Sequence, residues 1–149
     1  MKSCETPALA ALAVFITTFM PCAALAQGQT GELEVMVTGL KRLGGELALA
    51  VFDSEEAYET RSRAVSKAFV PISSDPVKWR TSLPLGTAYV VIVYQDLNAN
   101  RELDTRLLGI PKEPVGVSND ARGRFGPPSF AAASFVMDAE SRSIQISLQ

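Results

Sequence analysis

Histidine is absent from the 149 residues. A Ser-His-Asp or Cys-His relay therefore has no base, and a zinc site built on imidazole has no ligand. Cysteine is almost as scarce. The two present, Cys4 and Cys22, both fall inside the segment read below as an export signal. The domain that follows has neither a disulfide nor a thiolate to work with. An excess of one charge is missing too. With 14 Lys and Arg against 16 Asp and Glu, the net charge is −2, which gives a nucleic-acid backbone nothing to bind. Beyond the N-terminus no apolar run approaches the about 20 residues that a membrane span requires. A metal, if one is used, has to be held by oxygen, which favours Ca²⁺ over Zn²⁺ or Cu²⁺.

What is present begins with an N-terminal signal. Lys2 gives a positive start, and residues 8–20 are apolar apart from Thr17 and Thr18. Ala24-Leu25-Ala26 has the small-residue pattern of a cleavage site. The apolar run is short for an uncleaved anchor. Phe19-Met20-Pro21 lacks the small residues expected ahead of a lipidated Cys22. The reading is a signal peptide over residues 1–26, one domain over residues 27–149, and a periplasmic or secreted location.

The domain reads as strands. Leu33, Val35 and Val37 alternate with Glu32, Glu34, Met36 and Thr38, and residues 46–52 form a second strand with Leu47, Leu49 and Val51 on one face. Asp53 and Glu56 have the spacing of a capping box before one or two exposed helical turns over residues 55–63. Residues 65–72 and 77–83 are further strands, with Trp79 at the core edge. Residues 88–94 are β-branched almost throughout and do not alternate, which predicts a central strand buried on both faces. Residues 133–137 and 143–148 complete the set. Six or seven short strands and little helix predict an all-β, antiparallel β-sandwich of immunoglobulin or transthyretin type, with a closed barrel as the alternative. Residues 96–130 show no regular pattern and form one long loop, with Phe125 and Phe130 expected to cap the core. Within it, residues 109–120 read either as a binding edge presenting Lys112, Glu113, Ser118 and Asn119, or as an ordered packing loop.

The most specific chemistry lies at the start of that loop. Asp96, Asn98, Asn100, Glu102 and Asp104 place oxygens at every second position. That spacing suits a hard cation such as Ca²⁺, which takes about six to eight oxygen ligands. Glu113 or Asp120 would complete the shell. Two positions depart from an EF-hand loop. Arg101 stands where the sharp turn calls for Gly, and Leu107 stands where a bidentate Glu belongs. A loop of Asx turns without metal explains the same residues.

Asp96-x-Asn98-x-Asn100-x-x-Leu103-Asp104, Leu108-Gly109-Ile110-Pro111-Lys112-Glu113, Gly116-x-Ser118-Asn119 and Ser129-Phe130-x-x-Ala133 together resemble the bacterial domain-of-unknown-function 2141 family. Residues 45–53 resemble its early strand and residues 83–94 its Leu-Pro-x-Gly-x-Tyr strand entry, so the likeness covers nearly the whole domain. The resemblance implies a small exported β-sandwich of Gram-negative bacteria and no established activity. It also marks two departures: Gln95-Asp96 where the family has His-Asp, and Arg101 where it has Gly.

Three functions are consistent with these residues. The first is an exported, non-enzymatic binding or structural module with a calcium-stabilised loop. The second is an envelope assembly protein that uses a strand edge without metal. The third is a hydrolase using Asp96, Asp104 or Glu113 as a carboxylate pair. The first is favoured, with an unknown ligand or envelope partner, no nucleic acid, and no membrane span in the mature chain.

Overall fold

The computed structural model describes residues 28–106 and 111–149. The predicted export signal lies outside them, as do Leu108, Gly109 and Ile110 of the family motif. The described residues form a two-sheet sandwich. In the three-stranded sheet β1 (Thr30–Thr38) lies between β4 (Val77–Pro84) and β8 (Ser141–Ser147). The second sheet runs β3 (Ser66–Pro71), β2 (Glu46–Phe52), β5 (Ala88–Asp96), β6 (Val115–Val117). There β7 (Phe135–Val136) pairs with the start of β5. Pairing is antiparallel except between β1 and β8, which run parallel.

The period of two does what it predicts. Leu33, Val35 and Val37 of β1 are fully buried against Leu47, Leu49 and Val51 of β2 and against Val91 and Val93 of β5. Trp79 packs on the edge of this core. Strand β5 lacks alternation because its other face is also covered. Val90 and Ile92 join a second cluster there with Phe52, Tyr58, Val117 and Ala133. Two short helices, α1 (Glu55–Glu59) and α2 (Phe130–Ala133), and a 3₁₀ turn at Ser118–Asp120 supply the cover. Tyr58 meets Phe52 and Phe130 edge-on, each ring centroid 6.1 Å away, and its hydroxyl donates to the Pro128 carbonyl at 2.8 Å.

Several details differ from the sequence expectation. Ser54 caps α1, one residue after Asp53, and accepts the Ala57 N–H at 3.4 Å. Residues 130–133 are helical, and β7 keeps only two residues of the strand expected over 133–137. The alanine run favours a helical turn once Ser129 caps it. The long loop contains β6, a strand too short to show a period. Gly116 lets it approach β8: a Cβ there would stand 2.5 Å from Ile146 Cγ2. Phe125 does not cap the core; it is 99% exposed. Phe130 does pack, against Tyr58.

Ser118 and its neighbours tie the layers together. Ser118 is fully buried. Its Oγ accepts the Val91 N–H at 3.0 Å and donates to the Ala133 carbonyl at 2.6 Å. Asn119, at φ 62, donates through Nδ2 to the carbonyls of Ala132 and Ser134. The segment once readable as a binding edge is here a clasp of the fold. Ser118→Ala leaves the buried Val91 N–H without its acceptor, at a cost of about 1–3 kcal/mol. The expected result is a lower urea midpoint with an unchanged denaturant slope.

Candidate functional site

Strand β5 ends at Asp96, whose side chain is fully buried. Its carboxylate turns back on the backbone that follows. Oδ1 accepts the N–H of Asn98 at 3.2 Å and of Ala99 at 2.7 Å, and Oδ2 accepts the N–H of Arg101 at 2.7 Å. Asn98 Oδ1 accepts from the Asn100 N–H at 3.2 Å, and Asn100 Oδ1 from the Glu102 N–H at 2.9 Å. Each side chain thus binds the backbone two residues on, a ladder of Asx turns. Asp104 Oδ2 accepts from Asn98 Nδ2 at 2.7 Å. Glu113 is buried and spans the loop: Oε1 accepts the Leu97 N–H at 2.8 Å, and Oε2 the Asp104 N–H at 3.3 Å.

The fold therefore joins Asp96, Asn98, Asn100, Asp104 and Glu113 in one network. Glu102 enters it through its backbone N–H, with its side chain exposed. Asp120 is committed elsewhere and accepts the Ser147 N–H on β8 at 2.8 Å. Among the described residues no three Asp, Glu, His or Cys side chains gather as a metal-holding group. A cation entering the loop has to compete with N–H donors already bound to Asp96, Asn98, Asn100, Asp104 and Glu113.

Burial alone would push the Asp96 carboxyl up. The backbone N–H groups of Arg101, Ala99, Asn98 and Asn100 outweigh it and hold the group below the usual aspartate value. Burial also raises the Tyr94 phenol, and the Asp96, Glu113 and Glu102 carboxylates raise it further.

Arg101 and Gln95 both have structural roles. Arg101 takes φ 60, the left-handed conformation that favours glycine. Its guanidinium lies 4.9 Å from the Phe69 ring centroid, and its Nε donates to Glu46 Oε2 at 3.2 Å. Gln95 is fully buried. It accepts the Lys41 N–H at 2.8 Å and donates to the Arg42 carbonyl at 2.7 Å, clamping the turn between β1 and β2. In that turn Gly45, at φ 76, passes so close that a Cβ would stand 2.7 Å from the Asp96 carbonyl oxygen.

Arg101 and Leu103 lean over the outer face of the five-stranded sheet, and residues 121–128 overhang it as well. Together they bound a groove of about 790 Å³. Ala48 and Ala50 of β2 lie along it, flanked by Phe69, Ile92 and Tyr94. Phe69, Leu103 and Phe125 are 40%, 36% and 99% exposed, and all three line it. Sequence reasoning missed this groove. Its signal is Ala48 and Ala50: small apolar residues on a β2 face that a one-sided strand would have made polar.

A β-sandwich with a self-bonded acidic loop and an open, largely apolar groove defines the class of this protein. The chain belongs to the family described as uncharacterised protein conserved in bacteria, domain of unknown function 2141, whose model matches residues 35–145. That span reaches from β1 to β8 and includes the loop and most of the residues that line the groove. No curated protein and no solved structure matches the chain.

Two outcomes test the loop. Asp96→Asn sets an amide NH₂ against backbone N–H donors and costs about 1–3 kcal/mol, read by chemical denaturation. The acid dependence has a definite sign. An unfolded aspartate titrates near about 3.9, and the folded value lies below that. The contribution of Asp96 is complete above about pH 4 and is lost as pH falls through the folded value. Asp96→Asn removes that part of the acid limb in a melting-temperature profile. Separately, Ala99 sits at φ 59, so Ala99→Gly relieves strain and raises stability by up to about 1 kcal/mol.

Proposed function

We propose that this protein is an exported, non-enzymatic β-sandwich module that binds a small, largely apolar ligand in the groove on the outer face of the five-stranded sheet. The groove is the observation that carries the reading. Its volume, about 790 Å³, lies within the about 300–1,000 Å³ common for ligand sites. Exposed aromatic and aliphatic side chains gathered on one face cost solubility unless something covers them. Export is supported by the sequence of residues 1–26. The non-catalytic character is supported by the absence of histidine and by the commitment of Asp96 and Glu113 to backbone N–H groups. Strand addition at the envelope is disfavoured by the sheet edges. Lys67 and Pro71 stand on β3, and Lys78, Arg80 and Pro84 on β4. Among the described residues no helix is long and apolar enough to cross a membrane.

A calcium-stabilised loop is the second reading, and Arg101 favours it. The sixth position adopts the left-handed turn that a calcium loop demands, and its N–H reaches the carboxylate at the first position. Opposed to this is the Asn98 amide, which an ion would have to pull away from Asp104. In the favoured reading the loop is complete without metal, so millimolar Ca²⁺ leaves the melting temperature unchanged. A saturable rise with calcium would establish the second reading, since an ion bound only by the folded state must stabilise it.

The groove is tested with a neutral, environment-sensitive probe, N-phenyl-1-naphthylamine. Its fluorescence is expected to rise with the protein and to lose that rise in Ala50→Phe, which fills the floor and keeps a cooperative melt. Equal enhancement by the folded variant would remove the groove from consideration.

A further inference from the structure

We propose that the groove selects an amphipathic anion: an acyl or aryl body carrying one carboxylate, phosphate or sulfonate head. This rests on the groove reading and adds the chemistry of the occupant. The chain as a whole is slightly acidic, with net charge −2, but the groove is not. Arg61, Lys67, Arg101 and Arg122 line it against one acidic side chain, Asp120. Three of these five are already engaged. Arg101 pairs with Glu46, Arg61 lies 4.4 Å from the Tyr58 ring centroid, and Asp120 accepts the Ser147 N–H. Lys67 and Arg122 are exposed, and neither joins the ion pairs found among the described residues. Two cations without a carboxylate therefore border an apolar trough.

The register gives the site a direction. Lys67 pairs with Ala50 and Phe69 with Ala48, so the ammonium and the aromatic ring lie on one face, two residues apart along β3. Behind Tyr94, at the Phe69 end, stand the carboxylates of Asp96 and Glu113, and Arg101, which lies over the Phe69 ring there, is already paired with Glu46. The two carboxylates repel an anionic head and leave that end to the apolar body. The head then belongs at Lys67, with Arg122 as the second unpaired cation lining the groove. Phe125, three residues further on and exposed to water, has an apolar surface to cover only when such a body is bound.

The test uses two probes that share one ring skeleton. 1-Anilinonaphthalene-8-sulfonate carries the anionic head, and N-phenyl-1-naphthylamine lacks it. The expected result is tighter binding of the anion by about tenfold, with the advantage falling in added salt. Lys67→Gln, an exposed change on an edge strand, is expected to remove most of that advantage and leave the neutral probe unaffected. Displacement by decanoate and by decyl phosphate, each stronger than by decanol, distinguishes a carboxylate ligand from a phosphate one. Equal affinities for the two probes, unchanged in Lys67→Gln, would overturn the anion preference and leave the groove standing. Failure of both probes to bind would overturn the groove reading and this inference together.

Discussion

A single carboxylate, dry and fully charged, organises the end of the molecule that matters most. Asp96 lies at the last position of β5 and is fully buried. A charge in that position is costly unless donors surround it, and the next five residues supply them. The N–H groups of Asn98, Ala99 and Arg101 point back at its two oxygens. To deliver them the chain must turn sharply, and it does so with Ala99 and Arg101 in left-handed conformations. The turn carries Arg101 and Leu103 over the outer face of the sheet. The wall of the groove is thus a consequence of how one aspartate is solvated by backbone.

The floor has a different origin. Strand β5 is apolar on both faces, so the sandwich needs cover outside as well as inside. The helices α1 and α2 and the Ser118 clasp supply that cover over Val90, Ile92 and Phe52. Further along, β2 presents only Ala48 and Ala50, and the neighbouring strand raises Lys67 and Phe69 beside them. Small side chains between large ones leave a trough. Hydrophobic burial that holds the covered half of this face together is unsatisfied in the open half, where Phe69 and Leu103 remain in contact with water.

Much of this was legible in the residues. The alternation of β1 and β2, the missing alternation of β5 and the turn chemistry around the acidic loop each encode their outcome locally. Residues 96–104 form one hydrogen-bonded unit, but their spacing serves two ends. Oxygens at alternate positions suit a cation, and they equally suit Asx turns that bind the backbone two residues on. Local spacing cannot separate these, and the long-range partners of the loop, Asn98 Nδ2 on Asp104 and Glu113 across it, come from the fold. Glu113 and Asp120 were both read as extra cation ligands; Glu113 accepts N–H groups across the loop, and Asp120 accepts one from β8. The groove was not legible at all. It needs Lys67 and Phe69 brought into register with Ala50 and Ala48, and Phe125 held outside the core, and both depend on pairings distant in sequence.

The account depends most on the Asp96 carboxylate holding the loop that walls the groove. Amide hydrogen exchange measured near neutral pH, residue by residue, tests it directly. The N–H groups of Ala99 and Arg101, which lie in an exposed loop, are predicted to exchange far more slowly than an unprotected chain, and to lose that protection in Asp96→Asn. Exchange at unprotected rates in the native protein would contradict the account.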